Sequence, residues 1–187
     1  MKILILSCDT GEGHNSAGRA VREAAELKGH TVEMMDMFLL SGKRTSHAVA
    51  GAYVGIVKHI PFFFGFIYKV GMLISSSRRK SPVYFANALL GKKLASYIAK
   101  HDFDIVVTPH LYPAETMTYM KKKKLLHIPA VAVGTDYTCI PFWEETDLDY
   151  YVIPRRPDPG ICKTRRSGGE TASLWHSGAA GFLQKSV

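Results

Sequence analysis

Cysteine is scarce in this chain of 187 residues: Cys8, Cys139 and Cys162 stand apart, and no two have Cys-x-x-Cys spacing. Together with the lack of a cleavable signal pattern, this argues against structural zinc and points to a reducing, cytoplasmic setting. Long apolar runs are also missing. The best candidate, Ile60 to Ile74, is short and broken by Pro61 and Lys69, so it does not span a bilayer. A net charge of +8 invites a nucleic-acid partner. No helix-turn-helix, zinc-finger or RNA-binding signature accompanies it, so no nucleic acid is expected. The run Lys121 to Lys124 falls near a helix end, where cations complement the helix dipole. Global disorder is excluded, because 47% apolar and 21% charged residues are ordinary globular proportions.

What is present begins at the N-terminus. Ile3 to Leu6 form a short apolar run with β-branched members, as in a strand buried on both faces of a parallel sheet. Gly11 and Gly13 follow, permitting positive φ and a close approach of ligand to backbone. Ala17, Ala20, Val21, Ala24 and Leu27 then recur at helical spacing, so the loop meets a helix N-terminus that favours anionic groups. His14 falls where loop becomes helix. The motif is not a dinucleotide fingerprint, for want of a third glycine, nor a P-loop, for want of Gly-Lys-Ser/Thr. Taken alone it leaves two readings open: a ligand loop, or an ordinary βα turn in which His14 caps the helix.

Strands and helices alternate beyond it. Further strands are expected over His30 to Asp36, after Gly29 as a helix C-cap, then Asp104 to Thr108, Pro129 to Val133 and Leu148 to Ile153. Helices are expected over Thr45 to Lys58, over Pro82 to Lys100 with Pro82 at a first helical position, and over Leu111 to Lys124. This alternation implies an α/β, Rossmann-like doubly wound parallel sheet with ligands at the strands' carboxyl ends. His14, the Pro109-His110 turn and the Thr135-Asp136 turn all follow strands and are expected on one rim.

One segment does not fit a plain Rossmann layer. Phe62, Phe63, Phe64 and Phe66 lie between basic clusters, with Lys43, Arg44, Lys58 and His59 before them and Arg78, Arg79 and Lys80 after. Apolar insertion combined with attraction to anionic head groups is the physics of an interfacial anchor, with the phenylalanines and Arg78, Arg79 and Lys80 as membrane contacts. The other reading has the phenylalanines packed on the sheet and the basic residues as a solvated fringe.

The opening strand with Gly11-Glu12-Gly13-His14-Asn15-Ser16-Ala17, and a later block, Gly134-Thr135-Asp136-Tyr137-Thr138-Cys139-Ile140-Pro141-Phe142-Trp143 running on to Asp149-Tyr150-Tyr151-Val152-Ile153-Pro154, carry a resemblance. They resemble the N-terminal domain of the monogalactosyldiacylglycerol synthase and processive diacylglycerol glucosyltransferase family. The resemblance covers roughly residues 1 to 154. It implies the N-terminal half of a GT-B glycosyltransferase, whose two Rossmann-like domains face one cleft. The first is associated with the membrane lipid acceptor, the second with the nucleotide-sugar donor. At 187 residues only one such domain fits, so the donor domain is expected to be missing and the chain to be inactive alone, unless a separate chain supplies that half. The implied reaction moves a hexose from UDP-glucose or UDP-galactose to diacylglycerol, with no cofactor bound by this domain. The implied setting is peripheral, on the cytoplasmic inner face of the cell membrane, with anionic lipids as partners. The alternative is a noncatalytic membrane- or lipid-binding module.

Inverting transfer needs a base at the acceptor hydroxyl, and His14 is the candidate, since a neutral imidazole accepts a hydroxyl proton near physiological pH. Asp136 is the second candidate, as base or as the group orienting His14; it is equally readable as a capping carboxylate. Gly11, Gly13, Asn15 and Ser16 are expected to hold substrate in the loop, with Tyr137, Phe142 and Trp143 along the acceptor cleft. No metal ligand set is expected. From Arg155 onward six basic residues face two acidic ones, with five glycines and no apolar periodicity. Residues 155–187 are therefore expected to be an aberrant, disordered tail from an altered frame or truncated gene, the alternative being a genuine basic tail.

Overall fold

The computed structural model describes residues 1–8, 12–44, 47–48, 51, 55, 80–135 and 142–152. The elements are β1 (Lys2–Ser7), α1 (Glu12–Leu27), β2 (Thr31–Asp36), α2 (Pro82–Ala88), α3 (Gly91–His101), β3 (Ile105–Thr108), α4 (Leu111–Lys122), β4 (Ala130–Val133) and β5 (Tyr150–Val152). Single 3₁₀ turns cover Met37–Ser41 and Trp143–Glu145. All five strands are parallel, in the order β2-β1-β3-β4-β5. This is the α/β, Rossmann-like sheet the alternation implied. After β2 the chain returns across β1 to build outward through β3, so the strand order reverses between β1 and β3, the position at whose carboxyl ends open α/β sheets bind ligands.

Alternation along β1 divides the core. Leu4 and Leu6 join Leu94, Ile98, Val106, Met117 and Met120 on the face covered by α2, α3 and α4. Ile3 and Ile5 join Val107 and Val131 on the face covered by α1, where Val21, Ala25 and Met34 pack. With both faces covered, β1 has no room for polar alternation, which is why it reads as one apolar run. In register Ile3 lies opposite Ile105 and Ile5 opposite Val107, while Ser7 lies opposite Asp36, so the polar ends of β1 and β2 emerge together.

Several expectations change in detail. Helix α1 begins at Glu12, placing Gly13 and His14 in its first turn rather than in a loop. Among the described glycines only Gly29 and Gly42 have positive φ, so Gly13 does not use that freedom. A first helical turn accepts glycine at little cost because no packing partner is required, and nothing lies within 4 Å of the position a Gly13 β-carbon would take. The single helix expected from Pro82 to Lys100 is two. The N–H groups of Leu89 and Leu90 bond to carbonyls three residues back, tightening the chain, and Gly91 then passes so close to Tyr119 that a β-carbon would lie 2.9 Å from its ring. That approach lets α2 and α3 each pack on α4. Helix α4 stops at Lys122 and β5 is confined to Tyr150–Val152. Of the helix expected over Thr45 to Lys58, His47, Ala48, Gly51 and Gly55 are described and are helical. Residues 153–187, and with them the expected tail, lie outside the described residues.

Candidate functional site at the strand-order switch

Three strand ends converge at the switch. His14 comes from the first turn of α1 just beyond β1, Pro109 directly follows β3, and Thr135 follows β4. His14 Nδ1 lies 3.0 Å from the Pro109 carbonyl oxygen and 2.9 Å from Thr135 Oγ1. A carbonyl only accepts, so Nδ1 carries the hydrogen and Nε2 keeps its lone pair. Among the described residues nothing bonds to Nε2. The half-buried imidazole is thus oriented as a proton acceptor.

Among the described residues, the groups touching His14 are neutral. Thr108 Oγ1 donates to the Leu6 carbonyl at 2.8 Å, tying the ends of β1 and β3 together beneath the site. Ser7 Oγ donates to Asn15 Oδ1, fixing the first turn of α1 against the end of β1. His110 is buried beside His14, with ring centroids 4.5 Å apart, and caps α4 by accepting the Tyr112 N–H. Burial, with the nearby His14 adding to it, pushes its pKa down to about 3, so this second imidazole stays neutral.

Of the expected substrate residues, Asn15 is engaged with Ser7, and exposed Ser16 accepts from Arg19 at 2.9 Å. Phe142 is half-buried with φ of 77°, and Trp143 packs against the larger core cluster. Gly11, Asp136 and Tyr137 lie outside the described residues, as do Phe62, Phe63, Phe64, Phe66, Arg78 and Arg79. Lys80, expected at a lipid surface, turns inward. Its Nζ donates to the Glu145 carbonyl and sits 5.2 Å from the centre of the Tyr84 ring, and burial lowers its pKa. An open cleft of about 420 Å³ lies over the ends of β1 and β2, bordered by Ser7, Asn15, Arg19 and Asp36. It does not reach His14, and the switch, where strand ends and an oriented imidazole meet, is the better candidate for chemistry. Sequence reasoning located the three turns but missed the parts played by the Pro109 carbonyl, Thr135 and His110. The signal available was Thr-Pro-His at the end of an apolar strand.

Residues 14–157 match the family pattern described as Monogalactosyldiacylglycerol (MGDG) synthase. Two curated relatives, each named probable monogalactosyldiacylglycerol synthase 2, chloroplastic, come from Oryza sativa subsp. indica and subsp. japonica. Each is 26% identical over 149 residues, a stretch that covers 75% of this chain and 31% of the relative. The chain therefore spans about a third of the relatives' length. No solved structure matches it. Since the matched segment contains His14, the Pro109-His110 turn, Thr135 and four of the five strands, this chain belongs to the monogalactosyldiacylglycerol synthase family, glycosyltransferases of glycolipid synthesis.

Proposed function

We propose that this chain is the acceptor-side domain of a glycosyltransferase that moves a hexose from UDP-galactose or UDP-glucose to diacylglycerol at a membrane surface, with His14 as general base. The observation that carries the proposal is the Nε2 of His14, unbonded among the described residues, on a ring held at the strand-order switch by the Pro109 carbonyl and Thr135. In this reading Nε2 takes the proton of the acceptor hydroxyl while that oxygen bonds to the anomeric carbon. The bond from that carbon to the diphosphate breaks with inversion, and UDP departs. The neutral His110 leaves His14 as the local group that gains charge, close to where the diphosphate gathers negative charge.

Because the chain spans 31% of its relatives' length, the donor side is proposed to come from sequence beyond these residues or from a separate chain. The 187-residue polypeptide alone is expected to turn over little. Joined to the donor half of a full-length relative, it is expected to transfer hexose to dispersed diacylglycerol, and His14→Ala to lower kcat by roughly 10²–10⁴-fold, the range typical of a lost general base. Unchanged turnover in that variant would move the base to Asp136 or elsewhere. Brisk turnover by the unaided chain would overturn the need for a donor half.

A further inference from the structure

The contacts around His14 decide which of its nitrogens is free, and one comes from a side chain with no other bond among the described residues. Thr135 Oγ1 meets Nδ1 at 2.9 Å, from the far side of β3 relative to α1, while the Pro109 carbonyl meets the same nitrogen at 3.0 Å. An unrestrained histidine prefers its proton on Nε2. That tautomer would present a donor where the acceptor hydroxyl must lose its proton, and would turn a lone pair toward the Pro109 carbonyl. A carbonyl alone favours Nδ1–H but lets the ring swing about a single hydrogen bond. The Thr135 hydroxyl, which accepts from Nδ1–H and would equally donate to a bare Nδ1, does not choose the tautomer; as a second partner held by a different strand end it fixes the ring plane.

We propose that Thr135 is a positioning residue: the Pro109 carbonyl selects the Nδ1–H tautomer of His14, and the Thr135 hydroxyl fixes the plane of the ring so that Nε2 faces the acceptor. The catalytic consequence rests on the reading of His14 as base; the tautomer itself does not. His110 cannot substitute as the base, because its Nδ1 already accepts the Tyr112 N–H and its ring is buried. Nor can it replace Thr135 as the second partner of Nδ1, since it meets His14 ring against ring at a 57° tilt.

The test is a long-range ¹H–¹⁵N correlation spectrum of the ¹⁵N-labelled 187-residue chain at about pH 8, where unperturbed imidazoles are neutral. His14 is assigned by the signals lost in His14→Gln. The expected result is a protonated Nδ1 and a pyridine-like Nε2. Thr135→Ser should keep that pattern. Thr135→Val, which retains shape without the hydroxyl, should leave Nδ1 protonated, since the Pro109 carbonyl remains, but free the ring to turn, read as loss of the nuclear Overhauser contacts between the His14 ring protons and the end of β4 that the unmodified chain and Thr135→Ser show. Should the valine variant not fold, Thr135→Ala against Thr135→Ser makes the same comparison. An Nε2–H tautomer in the unmodified chain, or hydroxyl-free variants indistinguishable from it, would overturn the proposal. The spectrum reads the ring without turnover, so absent glycosyl transfer would sink the functional reading and leave this inference standing.

Discussion

At the scale of single residues, the chain carries an acid where charge is least tolerated. Glu115 is fully buried in α4, and its Oε2 accepts from Asn87 Nδ2 at 2.5 Å. Burial pushes its pKa from 4.5 up to about 8, with nearby Glu145 adding to the rise and the Asn87 bond and Lys80 opposing it. The folded state therefore holds this carboxyl protonated, while the unfolded chain releases the proton above its ordinary value. Its contribution to stability is present in full below about pH 4.5 and is lost as pH rises toward 8. His110 acts in the opposite sense, since its lowered pKa removes stability as pH falls from about 6.5 toward 3. Glu115→Gln keeps an acceptor for Asn87 and removes the titration. Urea melts across this range should show the variant more stable than the unmodified chain at about pH 8, by on the order of a few kcal/mol, with the difference shrinking toward pH 5. Parallel curves at every pH would mean that Glu115 does not titrate in this window. Nothing in the sequence marks Glu115 as buried, because its burial follows from α2 lying across α4, a tertiary fact that a glutamate among helix formers cannot announce.

At the scale of elements, legibility follows how locally each signal is determined. Strand β1 and helix α1 were readable because a buried parallel strand needs an unbroken apolar run and a helix on one face needs 3.6-residue spacing. The split between α2 and α3 was not, since Gly91 becomes a bend only where Tyr119 crowds it. The end of α4 shows the same limit. Lys124 adopts φ of 56°, Leu125 N–H bonds to the Met120 carbonyl at 2.8 Å, and Lys124 N–H bonds to that of Lys121 at 3.0 Å. These are the paired bonds of a Schellman ending, with lysine in the left-handed position where α1 uses Gly29. Four consecutive lysines gave no hint of where the helix stops. Lys124→Gly removes the left-handed cost of a β-carbon and adds the entropy cost of glycine, for an expected net gain of about 0.5–1 kcal/mol in thermal or denaturant unfolding. A loss of stability would show that the lysine side chain itself holds the turn.

At the scale of the whole molecule, the sequence placed three turns after three strands, and the strand order alone made them neighbours. The position of the switch between β1 and β3 depends on which strands pair, so the meeting of His14 with both Pro109 and Thr135 was expected only as a shared rim. The expected membrane face is the other whole-molecule property. Among the described residues no helix is long and apolar enough to cross a bilayer, so any attachment through them rests on surface. Helix α2 contributes one: Phe85 and Leu89, a turn apart, are 60% and 81% exposed, and exposed Lys92 follows. With the phenylalanine-rich segment just before α2 in sequence and a net charge of +8, the chain is expected to bind anionic vesicles and to release them as salt rises. Phe63→Ser or Phe64→Ser should weaken binding, each removing apolar area worth roughly 1.5–3 kcal/mol if fully buried in lipid. Leu89→Ser should weaken it if α2 shares the contact. Cosedimentation with vesicles of graded anionic content checks all three, and equal recovery with neutral and anionic vesicles at every salt concentration would remove the electrostatic part. Loss of binding in the phenylalanine variants with none in Leu89→Ser would confine the contact to the segment before α2, with Phe85 and Leu89 left facing water.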